Sequence, residues 1–220
     1  MMKNKRKNKD VGIYGLTAKW YDKNSRKSRM TQMQDYANEV AALVGTNAHI
    51  LEVAPGPGYL SIELAKKGFN VTGVEISADF VKIEKNNAKE ANVSVDFKEG
   101  NASNLPSEDN FFDFIVCSAA FKNFKDPSKA LCEMHRVLKE GGTSLIIDMN
   151  HEATSEDINN EIKQTGMKGF DKHFVKFAFK TFLKQGAYTI KDFESLLNET
   201  PFKNYHIKKE GISLFVYLYK

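Results

Sequence analysis

Apolar positions change period along the chain. Between 31 and 44, Met33, Tyr36, Ala37, Val40, Ala41 and Val44 recur at three- and four-residue spacing, which predicts a helix closed by Gly45. Beyond it the pattern shortens. Runs of apolar, β-branched or aromatic residues at 49–53, 70–74, 93–97, 112–117 and 143–147 predict strands, and helical patterns at 59–67, 78–90 and 128–138 separate them. Such alternation predicts an α/β fold whose sheet is parallel, buried on both faces and joined by right-handed crossovers.

Punctuation supports these elements. Ser77 is an N-cap candidate, Pro127 suits the first turn after Asp126, and Gly141-Gly142 is expected to end the 128–138 helix. Thr189 with Asp192 resembles a capping box, and Pro201 closes the helix it opens. Two last strands, at 205–209 and 212–219, are separated only by Glu210-Gly211 and must therefore pair antiparallel at the end of the sheet. The stretch 151–186 breaks the alternation. There Phe170, Phe174, Phe177, Ala178 and Phe182 share one helical face, while lysines recur every fourth residue from Lys168 to Lys184. A helix packed on the body and a lid over an apolar substrate both fit this pattern.

The 220 residues suit one domain. Hydrophobic residues at 41% and charged residues at 27% exclude a disordered, collagen-like or disulfide-scaffold chain. No apolar run approaches the roughly 18–20 residues of a membrane-spanning helix, and the charged N-terminus lacks the apolar stretch of an export signal. With only Cys117 and Cys132 and no CxxC pair, a reduced, cytoplasmic protein is expected. The net charge of +4 resides wholly in residues 1–10, where five basic residues face one acid. This tail is read as a solvated end or as an arm for nucleic acid or an anionic surface. The neutral remainder argues against nucleic acid as the main partner.

Chemistry concentrates after the first strand. His49-Ile-Leu-Glu-Val-Ala-Pro-Gly-Pro-Gly-Tyr-Leu-Ser61 places a glycine turn between a buried strand and a helix, where open α/β sheets bind ligands. Gly56 and Gly58 allow close backbone approach. The next strand ends in Glu75, 17 residues after Gly58, in position to accept hydrogen bonds from a ribose diol. Pro55 and Pro57 each remove an N–H donor, so the turn suits a ribose-bearing ligand without phosphates better than a dinucleotide.

These residues, with Val74-Glu-Ile-Ser77, Glu99-Gly-Asn-Ala102, the run from Phe121 to Leu131 and Arg136-Val-Leu-Lys-Glu-Gly-Gly142, resemble class I S-adenosylmethionine-dependent methyltransferases. The likeness is greatest to the group of ubiquinone/menaquinone-biosynthesis and other small-molecule methyltransferases, and covers about residues 46–150. It implies a Rossmann-like α/β fold with a seven-stranded, mostly parallel sheet, an antiparallel terminal strand and helices on both faces. Together with the residue pattern it divides a single domain into a basic tail (1–10), an N-terminal cap (11–45), a cofactor-binding core (46–150), a lid or substrate insertion (151–186) and a last helix with terminal strands (187–220).

By the same resemblance, S-adenosyl-L-methionine is the cofactor and S-adenosyl-L-homocysteine the product. Glu52, Ala54, Gly56 and Gly58 would surround the methionine part, Glu75 would take the ribose hydroxyls and Ile76 would pack on the adenine. Asn101 and Ala102 would lie at the adenine edge, with Ser118 and Ala119 facing the cofactor. Two positions depart from the family pattern: Ala54 stands where its first glycine is usual, and Asn101 where aspartate is common. Tyr14, Trp20 and Tyr21 would cap the site, and with Phe121, Phe174 and Phe177 would form an apolar acceptor pocket.

Methyl transfer is an in-line displacement that needs alignment and exclusion of water rather than a protein nucleophile. A weakly acidic acceptor would need a base, for which His151, Tyr188 and His173 are candidates. The histidines lack metal-ligand spacing, so no metal site is expected. Cys117 lacks the preceding proline of cytosine C5-methyltransferases, and Ser118 to Phe121 lacks the amino-methyltransferase signature. A small, partly hydrophobic acceptor is therefore expected. RNA methylation through the basic tail and a non-catalytic binding module remain the alternatives.

Overall fold

The computed structural model describes residue 10 and residues 12–164 and 186–220. Its elements are α1 (Gly15–Leu43), β1 (His49–Val53), α2 (Tyr59–Lys66), β2 (Asn70–Glu75), α3 (Ala78–Glu90), β3 (Asp96–Glu99) and β4 (Phe112–Ser118). After a 3-10 turn at Phe121–Asn123 come α4 (Pro127–Val137), β5 (Leu138–Met149), α5 (Ser155–Gln164), α6 (Ile190–Leu197), β6 (Asn204–Glu210) and β7 (Ser213–Tyr219).

The strands form one sheet in the order β3-β2-β1-β4-β5-β7-β6. β7 runs against the rest, pairing antiparallel with both β5 and β6. The β6–β7 turn is Gly211-Ile212, with Glu210 opposite Ser213, one residue later than the sequence predicts. Strand periodicity divides the core. Leu51, Val53, Ile115 and Cys117 face α4 and α6 on one side, while Ile50, Phe114 and Val116 face α1 and α2 on the other.

Several local expectations meet their structural reason. Ser77 caps α3 by accepting the Phe80 N–H at 3.3 Å, and Asp126 caps α4 ahead of Pro127. Thr189 and Asp192 form the full capping box of α6. Gly141-Gly142 does not end a helix: α4 stops at Val137, and Gly141, at φ +76, sits inside β5 where its register with β4 shifts. α1 begins at Gly15 rather than near Thr31. Its C-terminal half buries Met33, Ala37 and Val40 on the sheet, whereas its first turns leave Leu16 and Trp20 exposed.

Candidate functional site

The strand order reverses at β1 and β4: the chain leaves β1 toward β2 and β3, then crosses back to β4. Beyond the carboxyl ends of these strands lies a cavity of about 210 Å³, far larger than the roughly 10–15 Å³ that holds one water. Glu52, Ala54 and Gly56 line it from β1 and its turn, Glu75 and Ile76 from the end of β2, Asn101 and Ala102 from the loop after β3, and Ser118 and Ala119 from the end of β4.

Backbone conformation shapes the turn. Gly56 has φ +60, and a Cβ there would meet nothing within 4 Å, so the glycine leaves its side of the cavity open. Gly58 does a different job and does not line the cavity. At φ +79, its missing Cβ would lie 3.0 Å from the Phe97 ring and 3.2 Å from the Glu84 side chain, so glycine is needed there for packing. Ala54 and Ala119 hold the same left-handed conformation, each at φ +57, which costs a residue with a Cβ about 1–2 kcal/mol.

No N–H of the 54–58 turn is left over. Ala54 donates to the Val74 carbonyl at 2.8 Å, Gly56 to the Glu75 carboxylate at 3.1 Å and Gly58 to the Pro55 carbonyl at 3.1 Å, while Pro55 and Pro57 have none to give. A phosphate would find no donor in this turn. Glu75 also accepts the Ser77 N–H at 2.9 Å, so both of its oxygens are oriented.

The electrostatics favour a cation. Glu52 is buried and accepts the Ser61 hydroxyl; burial pushes its pKa up to about 7, against the pull of Ser61 and Arg29 and with Glu75 raising it further. Burial likewise raises Glu75, opposed by the N–H groups of Ser77, Gly56 and Ile76. Behind the turn, Glu84 is wholly buried and neither oxygen has a hydrogen-bond partner. Burial, then the charges of Glu75 and Glu52, push its pKa up to about 10. A ligand carrying a diol and positive charge complements this carboxylate-lined cavity, whose turn offers no anion cradle. The donor set therefore fits S-adenosylmethionine.

Residues that sequence reasoning missed complete the wall. Asp10, Gly12 and Ile13 cross the cavity from the N-terminal segment, and Arg29 and Met33 enter from α1. Arg29 donates to the Tyr21 hydroxyl at 3.0 Å, and the Tyr21 ring meets Phe80 edge-on at 6.0 Å. Of the expected aromatic cap, only Tyr21 reaches the cavity. Tyr14 and Trp20 are 52% and 65% exposed and do not line it. Phe121 is fully buried, stacking on Phe193 and tilting against Tyr188, and the 3-10 turn presents Phe124 to the cavity instead.

The base candidates also fall elsewhere. His151 is exposed and away from the cavity, its backbone N–H bonded to the Tyr188 carbonyl at 3.0 Å. Tyr188 packs against both Phe121 and Phe193. Burial, with Asp148 and Asp192 adding to it, pushes its phenol up to about 12, which keeps it protonated near neutrality. His173, Phe174, Phe177, the lysine stripe and residues 1–9 of the tail lie outside the described residues. Among the described residues no cluster of His, Cys, Asp or Glu could hold a metal ion, and no helix is long and apolar enough to cross a membrane.

Residues 51–146 match the family model described as a methyltransferase domain. That segment is a methyltransferase domain, and the chain has the fold of class I S-adenosylmethionine-dependent methyltransferases. A demethylmenaquinone methyltransferase from Renibacterium salmoninarum is 31% identical over 149 residues, covering 67% of this chain and 61% of the relative. A ubiquinone/menaquinone biosynthesis C-methyltransferase from Rickettsia felis is 29% identical over 173 residues, covering 75% of this chain and 60% of that one. The chain thus matches about three fifths of the length of these curated relatives. Among solved structures, a proposed S-adenosyl-L-methionine-dependent methyltransferase of Methanococcus maripaludis superposes with a TM-score of 0.75 at 24% identity, covering 100% of this chain and 97% of the other. A methyltransferase of Aquifex aeolicus gives 0.68 at 20% identity, covering 92% and 96%.

Proposed function

We propose that the protein is an S-adenosylmethionine-dependent methyltransferase that acts by in-line transfer on a small, partly apolar acceptor. The observation that carries this reading is the pairing of a turn with no spare N–H and two cavity-lining carboxylates on neighbouring strand ends, Glu52 and Glu75. A cationic, phosphate-free nucleoside answers both features; a dinucleotide could offer its ribose to Glu75 but would find no donor in the turn for its phosphates.

When bound, the cofactor supplies an electrophilic methyl group. Glu75 would hold the ribose hydroxyls through the lone pairs that its backbone donors leave free, with Ile76 against the base. Glu52, oriented by Ser61, would hold the ammonium group, and Arg29 the carboxylate of the amino-acid end. Tyr21, Met33, Phe80 and Phe124 supply apolar wall that excludes water from the acceptor. The relatives named for demethylmenaquinone and for ubiquinone/menaquinone C-methylation support an aromatic, partly apolar acceptor.

The test is transfer of labelled methyl from S-adenosylmethionine to a panel of small quinols, phenols, thiols and amines. Label passing into a quinol or phenol product, and lost in Glu75→Ala, is the expected result. Cofactor binding with no transfer to any acceptor would replace the enzyme reading with a binding module.

A further inference from the structure

Asp10 is the third acid of the cavity, and it comes from outside the strand-end motifs. One of its oxygens accepts the Lys125 backbone N–H at 2.8 Å and the other accepts Asn101 Nδ2 at 3.0 Å. Asn101 is itself held, because its Oδ1 accepts the Ser103 N–H at 2.8 Å, which turns the amide nitrogen toward Asp10. An aspartate at position 101 would set one carboxylate against another. The departure at Asn101 and the acid at position 10 are thus two halves of one arrangement.

The sheet fixes what this arrangement faces. Glu75 and Glu99 are register partners on β2 and β3, and the Gly100 N–H bonds the Glu75 carbonyl at 2.9 Å, so the Asn101 loop lies beside Glu75. A ribose held at Glu75 with its amino-acid arm toward Glu52 on β1 leaves the β3 side for the base. Adenine offers an exocyclic amino group there, a donor that hypoxanthine replaces with an acceptor. Each Asp10 oxygen is bonded once and retains a lone pair.

We propose that Asp10 reads the exocyclic amino group of the cofactor's base, with Asn101 as the positioning residue that holds its carboxylate in place. This rests on the S-adenosylmethionine reading of the cavity. The N-terminal segment is then a specificity element: Ser77 Oγ donates to the Ile13 carbonyl at 2.7 Å and the Gly15 N–H donates to Asp79 at 2.8 Å, pinning the segment at the far rim.

The experiment is calorimetric titration of the full chain with S-adenosylhomocysteine and S-inosylhomocysteine. Wild-type protein prefers the adenosyl ligand roughly 10- to 100-fold, the ratio expected for one charge-assisted hydrogen bond. Asp10→Ala brings the ratio to within about threefold, by weakening the adenosyl ligand and by relieving the repulsion that the carboxylate exerts on the inosyl carbonyl. Asn101→Asp weakens adenosyl binding, and the exchange Asp10→Asn with Asn101→Asp restores the preference, which simple loss of folding would not do. An unchanged ratio in folded Asp10→Ala, or no preference in wild type that binds both ligands, overturns the assignment to Asp10 and leaves the cofactor reading standing. Binding of neither ligand by folded wild type overturns both.

Discussion

The backbone N–H of Gly56 donates to the carboxylate of Glu75 at 3.1 Å, across 19 residues of sequence. The turn after β1 and the acid after β2 are therefore one hydrogen-bonded unit, and each sets the position of the other. Removing the acid should do two things. Glu75→Ala deletes charge-assisted hydrogen bonds to the ribose worth about 1.5–3 kcal/mol, weakening S-adenosylmethionine roughly 10- to 150-fold. It also strands the Gly56 and Ser77 donors. Calorimetry on folded Glu75→Ala checks the first effect, and unchanged affinity would remove Glu75 from the site.

Ala54 carries a left-handed backbone with a Cβ, at φ +57. The conformational penalty of about 1–2 kcal/mol exceeds the roughly 0.5–1 kcal/mol of extra chain entropy that glycine loses on folding. Ala54→Gly should therefore stabilise the protein by roughly 0.5–1 kcal/mol, raising the melting temperature by about 1–4 °C at this size. A lower melting temperature would show that this turn is not strained.

Buried without a hydrogen-bond partner, Glu84 should make stability fall as pH rises. Its folded-state pKa of about 10 lies far above the unfolded value near ~4.3, so between them the native state holds one proton more than the unfolded chain. The neutral acid's contribution is fully present below the unfolded value and is lost as pH rises toward the folded one, by up to about 1.4 kcal/mol per unit. Glu84→Gln removes this dependence and should gain at least ~1 kcal/mol over wild type at pH 8 relative to pH 5.5. Denaturant unfolding at the two pH values measures it; parallel curves would contradict the assignment.

Arg29 lines the cavity beside Tyr21, whereas Trp20, one position before Tyr21 on α1, faces solvent. Arg29→Ala should weaken S-adenosylhomocysteine roughly 10- to 150-fold and leave adenosine, which lacks the amino-acid end, within about twofold. Trp20→Ala should leave both unchanged. Paired titrations decide the matter, and equal losses for both ligands in Arg29→Ala would assign Arg29 to the fold rather than to the carboxylate.

What the sequence revealed of this molecule is what short segments determine. The strand–turn–helix from His49 to Ser61, the acid closing β2 and the caps at Ser77, Asp126 and Thr189 depend on neighbours within a few residues, and the chain states them directly. The rest depends on distance. Asp10 meets Asn101 across 91 residues, and nothing near either position signals the other. The first half of α1 carries no apolar stripe, because its contacts include polar ones: Asp22 takes the Tyr59 hydroxyl at 2.7 Å, and Arg26 bonds Asn87. Phe121 and Phe124 look interchangeable in sequence, and only the 3-10 turn decides which enters the core and which faces the cavity.

A cavity built this way should take a cationic, phosphate-free nucleoside. Calorimetric titration of the purified chain with S-adenosylmethionine, S-adenosylhomocysteine and NAD, side by side, tests it most directly. Saturable binding of both sulfur nucleosides, with heats for NAD no larger than dilution, is the expected result; binding of NAD by folded protein that ignores both sulfur nucleosides would rule this ligand class out.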